Sequence, residues 1–233
     1  DTHPSKSKRL ASIEIGYNKA LDKKEKVVYQ TTNTPQTFEE YYYSAYDKGR
    51  LKDYYGAIAD FTKAIEIGNN DDSDEASAYM NRGFLKTQLK DYYAAIEDFT
   101  KAIEIDPNYI RSYVERGYSK AELKDYYGAI ADHTKAIEID PNYADAYAFR
   151  ADSKSRLKDY YAAIEDFTKA IEIGINDDSN EAMTYFNRGY LKAVLKDYYG
   201  AIADYTKAIE IEPINAEAYT SRGYSKAELK DYY

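Results

Sequence analysis

The side chains from which a catalytic or metal site could be built are limited in kind: 41 carboxylates, two histidines and no cysteine among 233 residues. Without cysteine there is no disulfide and no thiolate chemistry. His3 lies in an N-terminal stretch unlike the rest. His133 occupies a slot that Phe61, Phe99, Phe167 and Tyr205 fill elsewhere, which marks a packed imidazole rather than a general base or a ligand. Glu66, Glu104 and Glu138 recur because a whole segment recurs, and no Ser, His and Asp repeat together as a triad. No glycine-rich loop has the form that cradles phosphate. Carboxylates are densest in 68–75 and 174–181, but neither stretch has the Asp-x-Asp-x-Asp-Gly order of a calcium loop. The sequence points away from catalysis and calls for no cofactor and no metal.

Recognition chemistry is another matter, because the chain holds 29 tyrosines, each offering contact area with a hydroxyl at its tip. Their arrangement is set by a stretch that recurs nearly letter for letter, Leu-Lys-Asp-Tyr-Tyr, opening at Leu51, Leu89, Leu123, Leu157, Leu195 and Leu229. The spacings are 38, 34, 34, 38 and 34 residues. A fixed period of this size marks a quasi-one-dimensional stack. A larger unit of 38 + 34 + 34 = 106 residues relates Leu51 to Leu157 and places both carboxylate-rich inserts alike, as duplication of three repeats would.

Each repeat predicts two helices. In the third, the first helix is expected over 113–123, and Asp125 is placed to cap the second. Ala129, Ile130, His133, Ala136 and Ile137 then form one apolar face at helical period. Asp140-Pro141 stops that helix, as Asp106-Pro107 and Glu212-Pro213 stop its equivalents. Thr37 and Glu40 have capping-box spacing where the array begins. Asp72 with Glu75, and Asp178 with Glu181, have similar spacing in the inserts, predicting a longer first helix and a looser loop there. Small residues stand six before each leucine (Gly83, Gly117, Gly189) and six and thirteen after it (Ala95 and Ala102). A large ring ten after it fills the space between. Arg82, Arg116, Arg150 and Arg188 need partners if partly buried. Asp98, Asp132, Asp166 and Asp204 are the expected ones, within a repeat or between neighbours; the alternative is that the arginines snorkel into water.

This pattern of Gly or Ala, Tyr, Ala, Phe, Ala and Pro in a 34-residue helix-turn-helix unit resembles the tetratricopeptide repeat. Tryptophan is absent, with Tyr79 and Tyr113 at the corresponding first-helix position, and arginine replaces the usual leucine. The resemblance implies an all-α fold, a right-handed superhelical solenoid of antiparallel helix pairs. Its domains are a non-repeat segment, 1–36, and an array over 37–233. Five full repeats fall at about 37–71, 76–109, 110–143, 144–177 and 182–215, followed by a final first helix, 216–233. Within 1–36 a hairpin and a short helix both stay open, and 31–35 reads as a linker. Asp1 in place of methionine marks a processed chain or a fragment. The array is expected to continue past Tyr233, where a second helix should begin.

The resemblance further implies a concave groove lined by first helices, in which a partner's peptide segment binds. The groove-facing stripe is expected at twelve, nine, five and two residues before each leucine. The candidate contacts are Tyr42, Tyr46, Met80, Phe84, Arg111, Val114, Tyr118, Asp145, Asp152, Met183, Phe186, Tyr190 and Tyr224. The competing reading is that these rings pack between adjacent first helices. Some family members clamp an acidic C-terminal tail with Lys and Asn; Tyr42 and Tyr46 stand there instead, so that specialisation is not expected. The expected ligand is an apolar or aromatic segment with a basic residue facing Asp145 and Asp152.

A formal net charge of -9, with lysines interleaved among carboxylates, argues against nucleic acid as a partner. No apolar run approaches the roughly 18 residues that span a bilayer, so no membrane insertion is expected. The compartment is not given by the sequence. A protein or peptide partner fits best. The alternative is a self-assembling structural protein, a homo-oligomer formed through the unpaired terminal helix by Tyr219, Gly223 and Ala227.

Overall fold

The computed structural model describes residues 37–68, 71–175 and 177–231; the expectations for 1–36 lie outside them. Contacts divide the chain into two units, with the array in the second, 36–233. Among the described residues there are eleven helices and no strand. They are α1 (Phe38–Arg50), α2 (Tyr54–Ile67), α3 (Asp72–Gln88), α4 (Tyr92–Ile105), α5 (Ile110–Glu122), α6 (Tyr126–Ile139), α7 (Ala144–Arg156), α8 (Tyr160–Ile173), α9 (Asp178–Val194), α10 (Tyr198–Ile211) and α11 (Ala216–Asp231). Odd-numbered first helices pair with the even-numbered second helices that follow them, and each pair packs on the next. From α3 onward, successive first helices also touch one another, whereas second helices meet mainly first helices. The first helices therefore line the inside of the solenoid.

The corner between paired helices is built the same way each time. Leu51 caps α1, the Asp53 N–H donates to Lys48 O (2.9 Å) and the Lys52 N–H donates to Gly49 O (3.0 Å). These two bonds form a Schellman motif, whose pivot residue must be left-handed. Lys52, Lys90, Lys124, Lys158 and Lys196 occupy that pivot with φ of 61–65°. Glycine would suit the pivot, and a lysine there costs about 1 kcal/mol. Asp53 then serves a second time as N-cap of α2, its carboxylate accepting from the Gly56 N–H at 3.0 Å. A Cβ on Gly56 would stand 2.2 Å from Asp53 Oδ2. In accord with that, the cap bond to Ala94 stretches to 3.4 Å, and Asp159 before Ala162 makes no side-chain cap bond.

Buried side chains form a string of small clusters, as expected of a stack whose units touch only neighbours. The alanines six and thirteen after each leucine are fully buried, and Phe61, Phe99, His133, Phe167 and Tyr205 wedge between them. Close approach explains the glycines on the facing helices: a Cβ on Gly83 would lie 2.8 Å from the Phe99 ring, and one on Gly117 2.6 Å from His133 Nε2.

The expected Arg–Asp pairs form, and they form within repeats. Arg116 donates through Nε and Nη2 to both oxygens of Asp132 (2.9 and 2.7 Å). Lys120 adds a contact of 2.8 Å, and Arg116 Nη1 reaches back to Thr100 of the preceding repeat (3.1 Å). The guanidinium also lies over the Tyr113 ring at 5.6 Å. The same set recurs at Arg82, Arg150 and Arg188. In the first repeat Ser44 replaces the arginine, and Asp60 takes Ser44 and Lys48 instead.

Two expectations are corrected. The inserts do lengthen their first helices, to 17 residues against 13 in α5, but the caps are Asp71 and Asp177, one residue earlier than expected. Their carboxylates accept from the Ser73 and Asn180 N–H groups. Helix α5 starts at Ile110, ahead of the expected 113, with Tyr109 as a cap that makes no side-chain bond.

Two outcomes test this account. Asp132→Ala strands Arg116 and Lys120 beside a buried site and should cost about 3 kcal/mol in urea unfolding, whereas Glu138→Ala, removing an exposed partner of Lys135, should cost less than about 0.5 kcal/mol. Burial pushes the pKa of His133 down to about 4, with Arg150 and Lys120 adding to the shift and the Val114 O contact and Asp132 opposing it. Its Nδ1 has no hydrogen-bond partner. The unfolded chain takes up this proton near pH 6.5 and the folded one only near 4, so stability falls as pH drops through that window. His133→Phe should abolish that loss, on the order of 3 kcal/mol, and the thermal melts of the two proteins should diverge below pH 6.

Candidate functional site

On the inner side, between α5 and α11, three clefts follow one another with shared walls. The largest, about 680 Å³, lies among α7, α9 and α11 and includes Asp152, Arg156, Phe186, Tyr190 and Glu217. The next, about 360 Å³, is lined by Tyr118, Glu122, Asp145, Phe149, Asp152 and Met183, among others. The third, about 330 Å³, is bounded by Lys90, Glu115, Tyr118 and Phe149. Asp152 and Arg156 bridge the first two clefts; Tyr118 and Phe149 bridge the last two. A groove thus runs from the C-terminal end of α3 along the inner faces of α5, α7, α9 and α11.

Six of the expected contacts line it: Tyr118, Asp145, Asp152, Met183, Phe186 and Tyr190. Phe84 sits outside these clefts with the Arg111 guanidinium over its ring at 5.2 Å, so two candidates from adjacent repeats meet. Tyr46 and Tyr224 are exposed but line none of the three clefts. Met80 and Val114 are core residues, 3% and 4% exposed, and offer a ligand nothing. Tyr42 is half-buried against Phe61 and accepts from Asn81; burial drives its pKa up to about 12.

Tyr42, Met80 and Val114 stand at one position of the repeat, nine before the leucine. At that position, Met80 and Val114 are buried and Tyr42 packs on Phe61 of the paired second helix, whereas Ala148, Phe186 and Thr220 line clefts. The residue eight before, one helical step of about 100° away, lines the clefts as well. Phe149, Glu115, Asn187 and Ser221 occupy it, and all four line clefts. Phe149 is the residue that sequence reasoning missed. Its ring meets Tyr118 edge-on at 6.0 Å and stacks on His133 at 5.7 Å, so its outer face is presented by a fully buried neighbour. No aromatic periodicity signals it, because apart from Tyr43 the equivalent residues are polar: Asn81, Glu115, Asn187 and Ser221.

The groove is electrostatically negative. Glu115, Glu122, Asp145, Asp152 and Glu217 line it against two cations, Lys90 and Arg156. Burial raises the pKa of Glu115, opposed by Arg111, which lies 3.7 Å away. Burial raises Asp145 as well, reinforced by the charge of Asp177. Asp152 is tied loosely to Arg156 at 3.6 Å. The site therefore pairs aromatic surface with desolvated carboxylates, a combination suited to cationic and aromatic side chains. Among the described residues no cluster of three or more metal-ligating side chains occurs, and no helix is long and apolar enough to cross a membrane.

Comparison with known proteins agrees with this architecture. Models of the tetratricopeptide repeat match residues 76–109, 110–143, 144–173 and 178–215. No curated protein matches the chain in sequence. Among solved structures, MamA (residues 41 to the end) from Desulfovibrio magneticus RS-1 is 20% identical over 77% of this chain and 97% of its own, with a TM-score of 0.67. A tetratricopeptide repeat protein from Parabacteroides merdae ATCC 43184 is 18% identical over 83% and 73%, with a TM-score of 0.66. YrrB, a TPR protein with an unusual peptide-binding site, is 19% identical over 89% and 97%, with a TM-score of 0.62. At these identities the likeness concerns the fold. With the family models covering most of the array, the chain belongs to the tetratricopeptide repeat family of helical interaction scaffolds.

Proposed function

We propose that the array over 37–233 is a non-catalytic scaffold that holds a partner's peptide segment in the groove between α5 and α11. The observation that carries this reading is the continuity of the three clefts, where Tyr118, Phe149 and Tyr190 alternate with half-buried carboxylates. Carboxylates held in a desolvated position are costly until a cation reaches them. The segment that fits places an aromatic or aliphatic side chain against Phe149 and Tyr118 and a lysine or arginine between Asp145 and Asp152. YrrB is a structural neighbour with a peptide-binding site of its own, which is consistent with this use of the fold.

A second reading rests on α11. Tyr219 is 47% exposed, Gly223 and Ala227 are exposed beside it, and a self-assembling protein could use that face.

The groove reading is tested by selecting basic-aromatic peptides from a display library and titrating the best binder by fluorescence anisotropy. Asp145→Asn with Asp152→Asn should weaken it about tenfold or more, and Tyr118→Ala with Tyr190→Ala by a similar factor. Affinity should also decline as pH falls, at a higher pH than ordinary carboxylates would give, because Asp145 and Glu115 protonate early. Affinity unchanged in both double variants would remove the groove assignment.

A further inference from the structure

The repeats are near copies of one another, so a position that changes chemical class stands out. Three such changes meet in the cleft of about 360 Å³. His133 stands where the other complete repeats have Phe or Tyr, and Phe149 where every repeat but the first is otherwise polar. Asp152 stands where every other repeat has an aromatic ring. On α7, Asp145, Phe149 and Asp152 fall at i, i+4 and i+7, which sets the ring on one face with a carboxylate one turn to either side.

The two carboxylates are not equivalent. Asp152 is answered by Arg156 at 3.6 Å. Asp145 is half-buried, and among the described residues it accepts no hydrogen bond and pairs with no cation, while Asp177 adds a like charge nearby. The ring between them is held from behind. His133 stacks on Phe149 at 5.7 Å, and its own plane is fixed by the Nε2–H that donates to Val114 O at 3.3 Å. With one face covered in this way, Phe149 meets solvent through the other.

The fold itself shows what suits a ring beside a carboxylate. Arg82, Arg116, Arg150 and Arg188 each lie over a tyrosine while gripping an aspartate with two N–H groups. On a first helix, Arg111 lies over Phe84 at 5.2 Å and 3.7 Å from Glu115. A planar guanidinium can lie flat on a ring and still direct in-plane N–H groups at a carboxylate; a compact, strongly hydrated ammonium cannot do both.

On the groove reading, from which it follows, we propose that this cleft is an arginine subsite. One arginine of the bound segment lays its guanidinium on Phe149 and donates to Asp145, and lysine is a poor substitute there.

The test uses the full chain and the best groove binder from a peptide display selection, resynthesised with lysine or citrulline in place of each arginine. At one position, either replacement should weaken binding about tenfold. Phe149→Asn, which installs the residue of the second and fifth repeats, should bring the arginine and lysine peptides within about twofold of each other, and so should Asp145→Asn; circular dichroism checks that both variants fold. Tyr190→Ala, outside this cleft, should weaken both peptides alike. The chain has two methionines, Met183 in the cleft and Met80 in the core, so with methyl-labelled protein the arginine peptide should shift the Met183 signal and leave that of Met80 in place. Binders without arginine, equal affinity for the two peptides, or a preference that survives Phe149→Asn overturns the arginine subsite, and the groove reading stands if Tyr190→Ala still weakens binding. A selection that returns no binder sensitive to Tyr118→Ala with Tyr190→Ala removes both.

Discussion

The array depends on how a buried aspartate is satisfied. Asp98, Asp132, Asp166 and Asp204 sit on second helices with side chains 4–7% exposed, where an unpaired carboxylate is intolerable. Each receives a bidentate guanidinium and an ammonium from its own first helix. The remaining guanidinium nitrogen reaches a threonine one repeat back. One side chain thus fixes the pairing inside a repeat and the register between repeats. Stacking the arginine on Tyr79, Tyr113, Tyr147 or Tyr185 fixes its plane, and with it the bidentate geometry. That is a physical reason for tyrosine where the family often has tryptophan: the first-helix ring serves as a platform for a cation.

The first repeat is consistent with this division of roles. Ser44 stands there in the arginine position, and Ser44 and Lys48 together satisfy Asp60. Register between repeats therefore begins at Arg82. The alternation of glycine and alanine at positions 56, 94, 128, 162 and 200 has a similarly local effect: glycine admits a tight aspartate cap and alanine loosens or abolishes it. Repeats that look interchangeable in sequence consequently differ in how firmly their second helices start.

Much of this was legible in the sequence because it repeats. The 34-residue period locates the helices, and the small residues around each ring identify the core, including His133 as a buried imidazole. The Arg–Asp pairing follows from the cost of burial alone. The groove was less legible for a geometric reason. Positions eight and nine before the leucine differ by a single helical step, and both line clefts in α7, α9 and α11, whereas in α3 and α5 position nine is buried. Tyr42, Met80 and Val114 belong to the more apolar series and are taken up by packing, whereas Phe186 of the same series lines a cleft. Phe149 escaped notice because its neighbours in the series are polar.

The two surfaces of the solenoid obey different constraints as a result. Inside, a residue facing the groove is released from packing, so its type can follow one partner, repeat by repeat: Tyr118, then Asp152, then Tyr190. Outside, the corner must still form a Schellman turn and a cap, which ties the lysine and aspartate to the backbone. Backbone geometry explains the conservation of the turn across repeats, and the clamp explains that of the core.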